Sequence, residues 1–154
     1  MNLWKSADGV DIIPTHIYRE LKPYVESGGT VFVGADSMLI GKRCSFVRVI
    51  AMHDPNKKIA KYFYARTKDV TGRYKNLQQK ILNEVSLAIE TACDVYENFP
   101  DADIEVHVDI GSSKKSKTRT MVDQVKGWVI SSGFGFKIKP NSWASSTIAD
   151  WHTK

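Results

Sequence analysis

The chain has 154 residues, 42% of them hydrophobic, enough to bury a core of two or three layers without disulfides or a structural metal, and a single domain over residues 1–154 is expected. Lys and Arg outnumber Asp and Glu by 22 to 17, a formal charge of +5 that favours a polyanionic partner. No apolar stretch reaches bilayer-spanning length, and the opening "MNLWKSADGVDII" carries charges where a signal peptide is apolar, so no membrane partner and a cytoplasmic location are expected.

In chain order, "PTHIYRELKPYVESGG" sets Ile17, Leu21 and Val25 on one face between Pro14 and the stop Gly28-Gly29, which predicts a short N-terminal amphipathic helix, broken or bent at Pro23. "TVFVGADSM" is a nearly continuous apolar run closing on Asp36, as expected of a strand buried on both faces. "CSFVRVIAMHD" and "KIAKYFYART" read as two further strands joined by the turn signal "DPNKK", and the three should form an antiparallel meander. From about Tyr74 to Phe99, Leu77, Ile81, Val85, Ala88, Ala92, Val95 and Phe99 recur at helical spacing, predicting one long helix. "DIEVHVDIG" is a fourth strand, "SKTRTMVDQVKGWVISS" a helix, "GFKIKP" a short fifth strand, and "SWASSTIADWHTK" a final helix capped by Asn141 or Ser142. The alternation in the second half places the fourth and fifth strands parallel to the first, giving an α/β fold with a mixed sheet and helices on both faces. Cys44 and Cys93 show no metal-binding spacing and are read as buried thiols in a reducing compartment.

An ionised carboxylate in an apolar strand is costly unless paired or metal-bound, which singles out Asp36 and Asp109. Each is read as closing its strand at the C-terminal end, and parallel strands bring both to one sheet edge, where α/β sheets bind ligands. On the long helix, at about 100° per residue, Glu84 falls roughly 60° from the centre of the apolar stripe while Glu90 points about 180° away. Glu84 is therefore the sheet-facing carboxylate, and the last helix adds Asp150, on a face with Trp143 and Thr147. Four carboxylates at one edge would repel one another and raise their own pKa values unless divalent cations neutralise them. Oxygen ligands without thiolate or imidazole favour Mg²⁺ or Mn²⁺, and two ions about 4 Å apart are the established device for in-line attack of water on a phosphodiester.

With Asp36 on the first strand, Glu84 on the long helix, Asp109 on the fourth strand and Asp150 on the last helix, the chain resembles the ribonuclease H-like superfamily. More narrowly, "VFVGADSM", "VHVDIG", "KP" and "SWASSTIADWHTK" resemble the YkuK family of predicted ribonuclease H-like nucleases from bacteria and phages. The resemblance implies a five-stranded sheet of order 3-2-1-4-5 and two-metal phosphodiester hydrolysis by the four carboxylates. RNA or an RNA:DNA hybrid is the first substrate expected. A structure-selective DNA endonuclease acting on branched DNA, or a non-catalytic nucleic-acid-binding module, are the alternatives.

Several residues carry competing readings. Gly111, Lys117 and Thr118 match a phosphate loop except that Ser116 stands at its second glycine. Lys114, Lys115, Lys117 and Arg119 are instead expected to contact a nucleic-acid backbone, against the bland alternative of a solvated loop. His152, close to Asp150, is a candidate proton shuttle to the leaving group, with an exposed histidine as its alternative. His107 either orients a carboxylate or is a buried, hydrogen-bonded histidine. Trp143 and Trp151 either stack on bases or anchor the last helix. Ser37, Ser112 and Ser113 either touch phosphate or make turns.

Overall fold

The computed structural model describes residues 4–54, 59–111 and 116–153. After a three-residue strand β1 (Trp4–Ser6) come helix α1 (Pro14–Glu26) and strands β2 (Val31–Ile40), β3 (Arg43–Asp54) and β4 (Ile59–Asp69). Helix α2 (Leu77–Asn98), β5 (Ile104–His107), α3 (Val122–Ser131) and β6 (Gly135–Lys137) follow. A π-helical segment (Ala144–Ala149) then runs directly into α4 (Asp150–Thr153). No helix among the described residues is long and apolar enough to cross a membrane.

The sheet is mixed. β2, β3 and β4 form the antiparallel meander, while β5 runs parallel to β2 and β6 parallel to β5. Among the described residues it has six strands rather than the five expected, and the order is corrected to β1-β4-β3-β2-β5-β6. The addition is β1, which pairs antiparallel with β4 at the edge; three residues are too few to display an alternating pattern in sequence.

β2 is central, which accounts for its apolar run: Val31, Val33 and Ala35 are buried against the larger core with α1, α2 and α3. The opposite face packs Val47, Val49, Ala51 and Tyr64 under Ile148 and Ala149 of the π-helical segment. α2 starts at Asn76, whose side chain accepts from the Gln79 N–H while Gln79 reaches back to the Asn76 N–H, a reciprocal cap of the kind worth about 1 kcal/mol. Ile81, Val85, Ala88, Ala92 and Val95 bury the predicted stripe. α1 continues through Pro23 to Glu26 rather than breaking there; Arg19 and Pro23 are both exposed, so water can satisfy the carbonyl that the missing N–H leaves open. Cys44 is buried as expected, but Cys93 lies on the exposed side of α2.

Candidate active site

Asp36 does not close its strand, as the sequence had implied, but sits in the middle of β2. The strand's two flanks end at different places: pairing with β5 stops at Gly34, whereas pairing with β3 runs on to Ile40. Asp36 therefore stands just past the end of the parallel pairing, where the C-terminal segment crosses. Gly34 makes that crossing possible. A Cβ there would lie 2.8 Å from the Ser145 nitrogen and 2.9 Å from the Ala144 carbonyl carbon, both backbone atoms. Ser145 Oγ donates to the Ala35 carbonyl at 2.6 Å and fastens the crossing.

Side chains alternate along a strand, so Asp36 faces the C-terminal segment and Ser37 faces α2. The Ser37 hydroxyl donates to Glu84 Oε1. Glu84 is 3% exposed, and its second oxygen, Oε2, is buried without a hydrogen-bond partner among the described residues. Burial, then the charge of Asp36, push the Glu84 carboxyl well above the usual range. Asp36 itself is pushed up to about 7, first by burial, then by the charge of Asp109, with Asp150 hydrogen-bonded to it. Asp109 lies two residues beyond β5, where the backbone stays paired with the end of β6 and the chain just after it through Val108 N–H to Lys137 O and Lys139 N–H to Ile110 O. Its Oδ1 accepts from the Ser146 hydroxyl at 3.0 Å and is 3.2 Å from Lys139 Nζ.

All four predicted carboxylates thus line one cavity of ≈ 800 Å³, together with Ser37, Lys80, Ser116, Lys117, Thr118 and Lys139. Among the described residues, no three acidic, His or Cys side chains are yet closed into a metal cage. The donor set nonetheless fits Mg²⁺ or Mn²⁺: its carboxylates are all oxygen donors, it holds a buried orphaned carboxylate oxygen, and four carboxyl groups stand against three lysines around the cavity. Mg²⁺ is ordinarily held by one or two carboxylates, with waters and substrate phosphates completing the sphere, so a pre-closed cage is not required.

Lys80 and Lys139 were not singled out in sequence. Lys80 lies one helical turn before Glu84, a spacing that puts it on the same face, and its charge opposes the upward shift of Glu84. Lys139 belongs to the "KP" dipeptide, whose only sequence signal was the family resemblance.

Other expectations are placed differently. Lys117 lines the cavity and Arg119 is exposed at the turn before α3; Lys114 and Lys115, with Ser112 and Ser113, lie outside the described residues. The phosphate-loop reading is disfavoured, because the Gly111 N–H is bonded to Thr118 Oγ1 at 2.9 Å and four carboxylates share the space a triphosphate would enter. His152 is not among the residues lining the cavity: its ring stacks on Tyr64 at 3.7 Å and its Nε2 meets the Tyr62 hydroxyl at 2.9 Å. His107 is fully buried and its Nδ1 accepts the Ala144 N–H at 3.1 Å, which leaves the proton on Nε2 to be donated to Glu105 at 2.8 Å. Burial lowers its pKa, in keeping with a neutral ring that anchors the start of the π-helical segment. Trp143 packs on Phe32, His53 and His107, whereas Trp151 is 67% exposed.

The family model described as Ribonuclease H-like matches residues 13–154, nearly the whole chain. The chain belongs to the ribonuclease H-like family. It is also similar to the uncharacterized protein YkuK of Bacillus subtilis (strain 168), 25% identical over 157 positions that cover 90% of this chain and 89% of the relative. The ribonuclease H-like match spans every element that supplies a cavity carboxylate, from β2 to α4.

Proposed function

We propose that this ribonuclease H-like protein is a metal-dependent nuclease that hydrolyses phosphodiester bonds, with RNA or an RNA:DNA hybrid as its substrate. The observation that carries the reading is the meeting of Asp36, Glu84, Asp109 and Asp150, from β2, α2, the segment after β5 and α4, around one cavity. These four would hold Mg²⁺ or Mn²⁺. Two bound ions would supply the acidity that activates water and the charge that stabilises the leaving oxygen.

The chain's own residues prepare the rest. Ser37 and Ser146 fix the carboxylates of Glu84 and Asp109 in orientation. Lys80, Lys117 and Lys139 set positive charge around the acidic centre, where a phosphodiester backbone must enter against carboxylate repulsion. Burial of Asp36 and Glu84 makes both poor anions without a counter-charge, which sets up competition between protons and cations for the same oxygens.

The test is incubation of the protein with labelled RNA, RNA:DNA hybrid, single-stranded DNA and a four-way junction, each with Mg²⁺, Mn²⁺ or chelator. Cleavage is expected with metal, is lost with chelator, and is abolished by Asp109→Asn while nucleic-acid binding is retained. Cutting of the junction with hybrid left intact would shift the substrate to branched DNA. Binding without cleavage under every condition would make the protein a non-catalytic module, and cleavage indifferent to chelator and to Asp109→Asn would overturn the proposal.

A further inference from the structure

The sheet face that carries Asp36 continues beyond the cavity. Residues two apart on a strand share a face, and the pairings Asp36↔Val47, Val47↔Arg66, Met38↔Ser45, Ser45↔Lys68 and Ile40↔Arg43 place Arg43, Arg66 and Lys68 on the same side as Asp36. Ile40, Arg43, Ser45, Arg66, Lys68 and Thr153 line a second, smaller hollow of ≈ 140 Å³. All three basic residues are exposed, no carboxylate lines the hollow, and none of the three has a salt-bridge partner among the described residues. Arg66 Nε donates to the His152 carbonyl at 2.7 Å, which fixes the base of its guanidinium against α4 while its terminal nitrogens make no hydrogen bond among the described residues.

α4 is the link between the two hollows. Asp150 at its start lines the cavity and Thr153 at its end lines the basic hollow, with Trp151 on the turn between them. A tryptophan 67% exposed leaves a large aromatic surface in water. With strands about 4.8 Å apart, the Arg66 backbone stands about 10 Å from that of Asp36, close enough for one strand to reach both.

We infer that Arg43, Arg66 and Lys68 form a phosphate-binding shelf for an unpaired nucleic-acid strand flanking the cavity, and that Trp151 stacks on one of its bases; that the cavity cuts the strand is the nuclease reading on which this rests. Exposed aromatic and basic side chains together are what a single strand requires, because its bases are free to stack and its phosphates are free to pair. A fully paired duplex offers the phosphates but not the base faces.

The experiment is fluorescence anisotropy with labelled single-stranded RNA, single-stranded DNA and the matching duplexes, in Ca²⁺ and again in chelator, across a salt series. Every phosphate left without its cationic side chain lowers the log–log salt slope by about 0.7 for a single strand, so the double variant Arg43→Gln/Lys68→Gln should reduce it by roughly 1.4. Trp151→Ala should weaken single-strand binding by roughly tenfold or more and duplex binding by less. Thermal melts of each variant check that the fold is kept, and Arg43→Lys/Lys68→Arg should restore the slope if charge alone is at issue. An unchanged slope in the glutamine variant, equal loss for single strand and duplex in Trp151→Ala, or no binding by the wild-type protein would each overturn the shelf. Variant-sensitive binding without any cleavage would leave the shelf standing and remove the nuclease reading; metal-dependent cleavage with an unchanged slope would do the reverse.

Discussion

Removing the charge of Asp36 should stabilise the metal-free protein at neutral pH. The carboxyl is held at about 7 against an ordinary 3.8, so the folded state binds a proton that the unfolded chain has already released over this interval. A group whose folded pKa is raised stabilises the fold fully below the unfolded value, and that stability is lost as pH rises through the folded value. The window therefore runs from about pH 4 to about pH 7.5, and the shift corresponds to roughly 4 kcal/mol. Asp36→Asn abolishes this titration and also relieves Glu84, whose own upward shift includes the charge of Asp36. Urea unfolding of both proteins in chelator at pH 4, 5.5 and 7.5 reads the difference. The wild-type curve should fall toward neutral pH relative to Asp36→Asn, with the variant more stable by up to about 4 kcal/mol at pH 7.5. Adding Mn²⁺ at pH 7.5 should recover much of that gap for the wild type and little for the variant. Parallel pH curves, or a variant less stable than wild type at pH 7.5, would refute the electrostatic account of the cavity.

Gly34→Ala should displace the Ala144–Ser145 backbone, lower stability by about 1–3 kcal/mol and carry Asp150 out of place, so that cleavage falls further than the melting temperature alone explains; activity and melts on the same sample check this. His152→Gln should lower the melting midpoint, because it removes the stack on Tyr64, and leave the shape of the cleavage pH profile unchanged. Loss of one limb of that profile would return His152 to a proton-transfer role.

Much of the site was legible because its residues break patterns. Asp36 interrupts an apolar run, and Glu84 falls beside the buried stripe of α2, and both signals survive folding because strand alternation and helical period are local properties. The position of Asp36 within β2 was not legible, since a strand's end depends on where each partner stops pairing, and β3 outlasts β5 by six residues, from Ala35 to Ile40. β1 was too short to show a period. Lys80 was legible in principle, four residues before Glu84, whereas Lys139 reaches Asp109 only through the tertiary pairing of the β5 and β6 ends. The π-helical segment leaves no mark on hydrophobic spacing, so the direction in which His152 points could not be read from its proximity to Asp150.

Asp36 and Ser37 are consecutive, yet they serve opposite sides of the sheet: one meets Asp150, the other holds Glu84. Sliding β2 by a single residue against its neighbours would exchange the two, sending a carboxylate into the α2 core and a hydroxyl toward α4. The chemistry and the alignment of the central strand are thus one constraint, and an insertion or deletion anywhere between Gly34 and Ser37 would cost the protein both together.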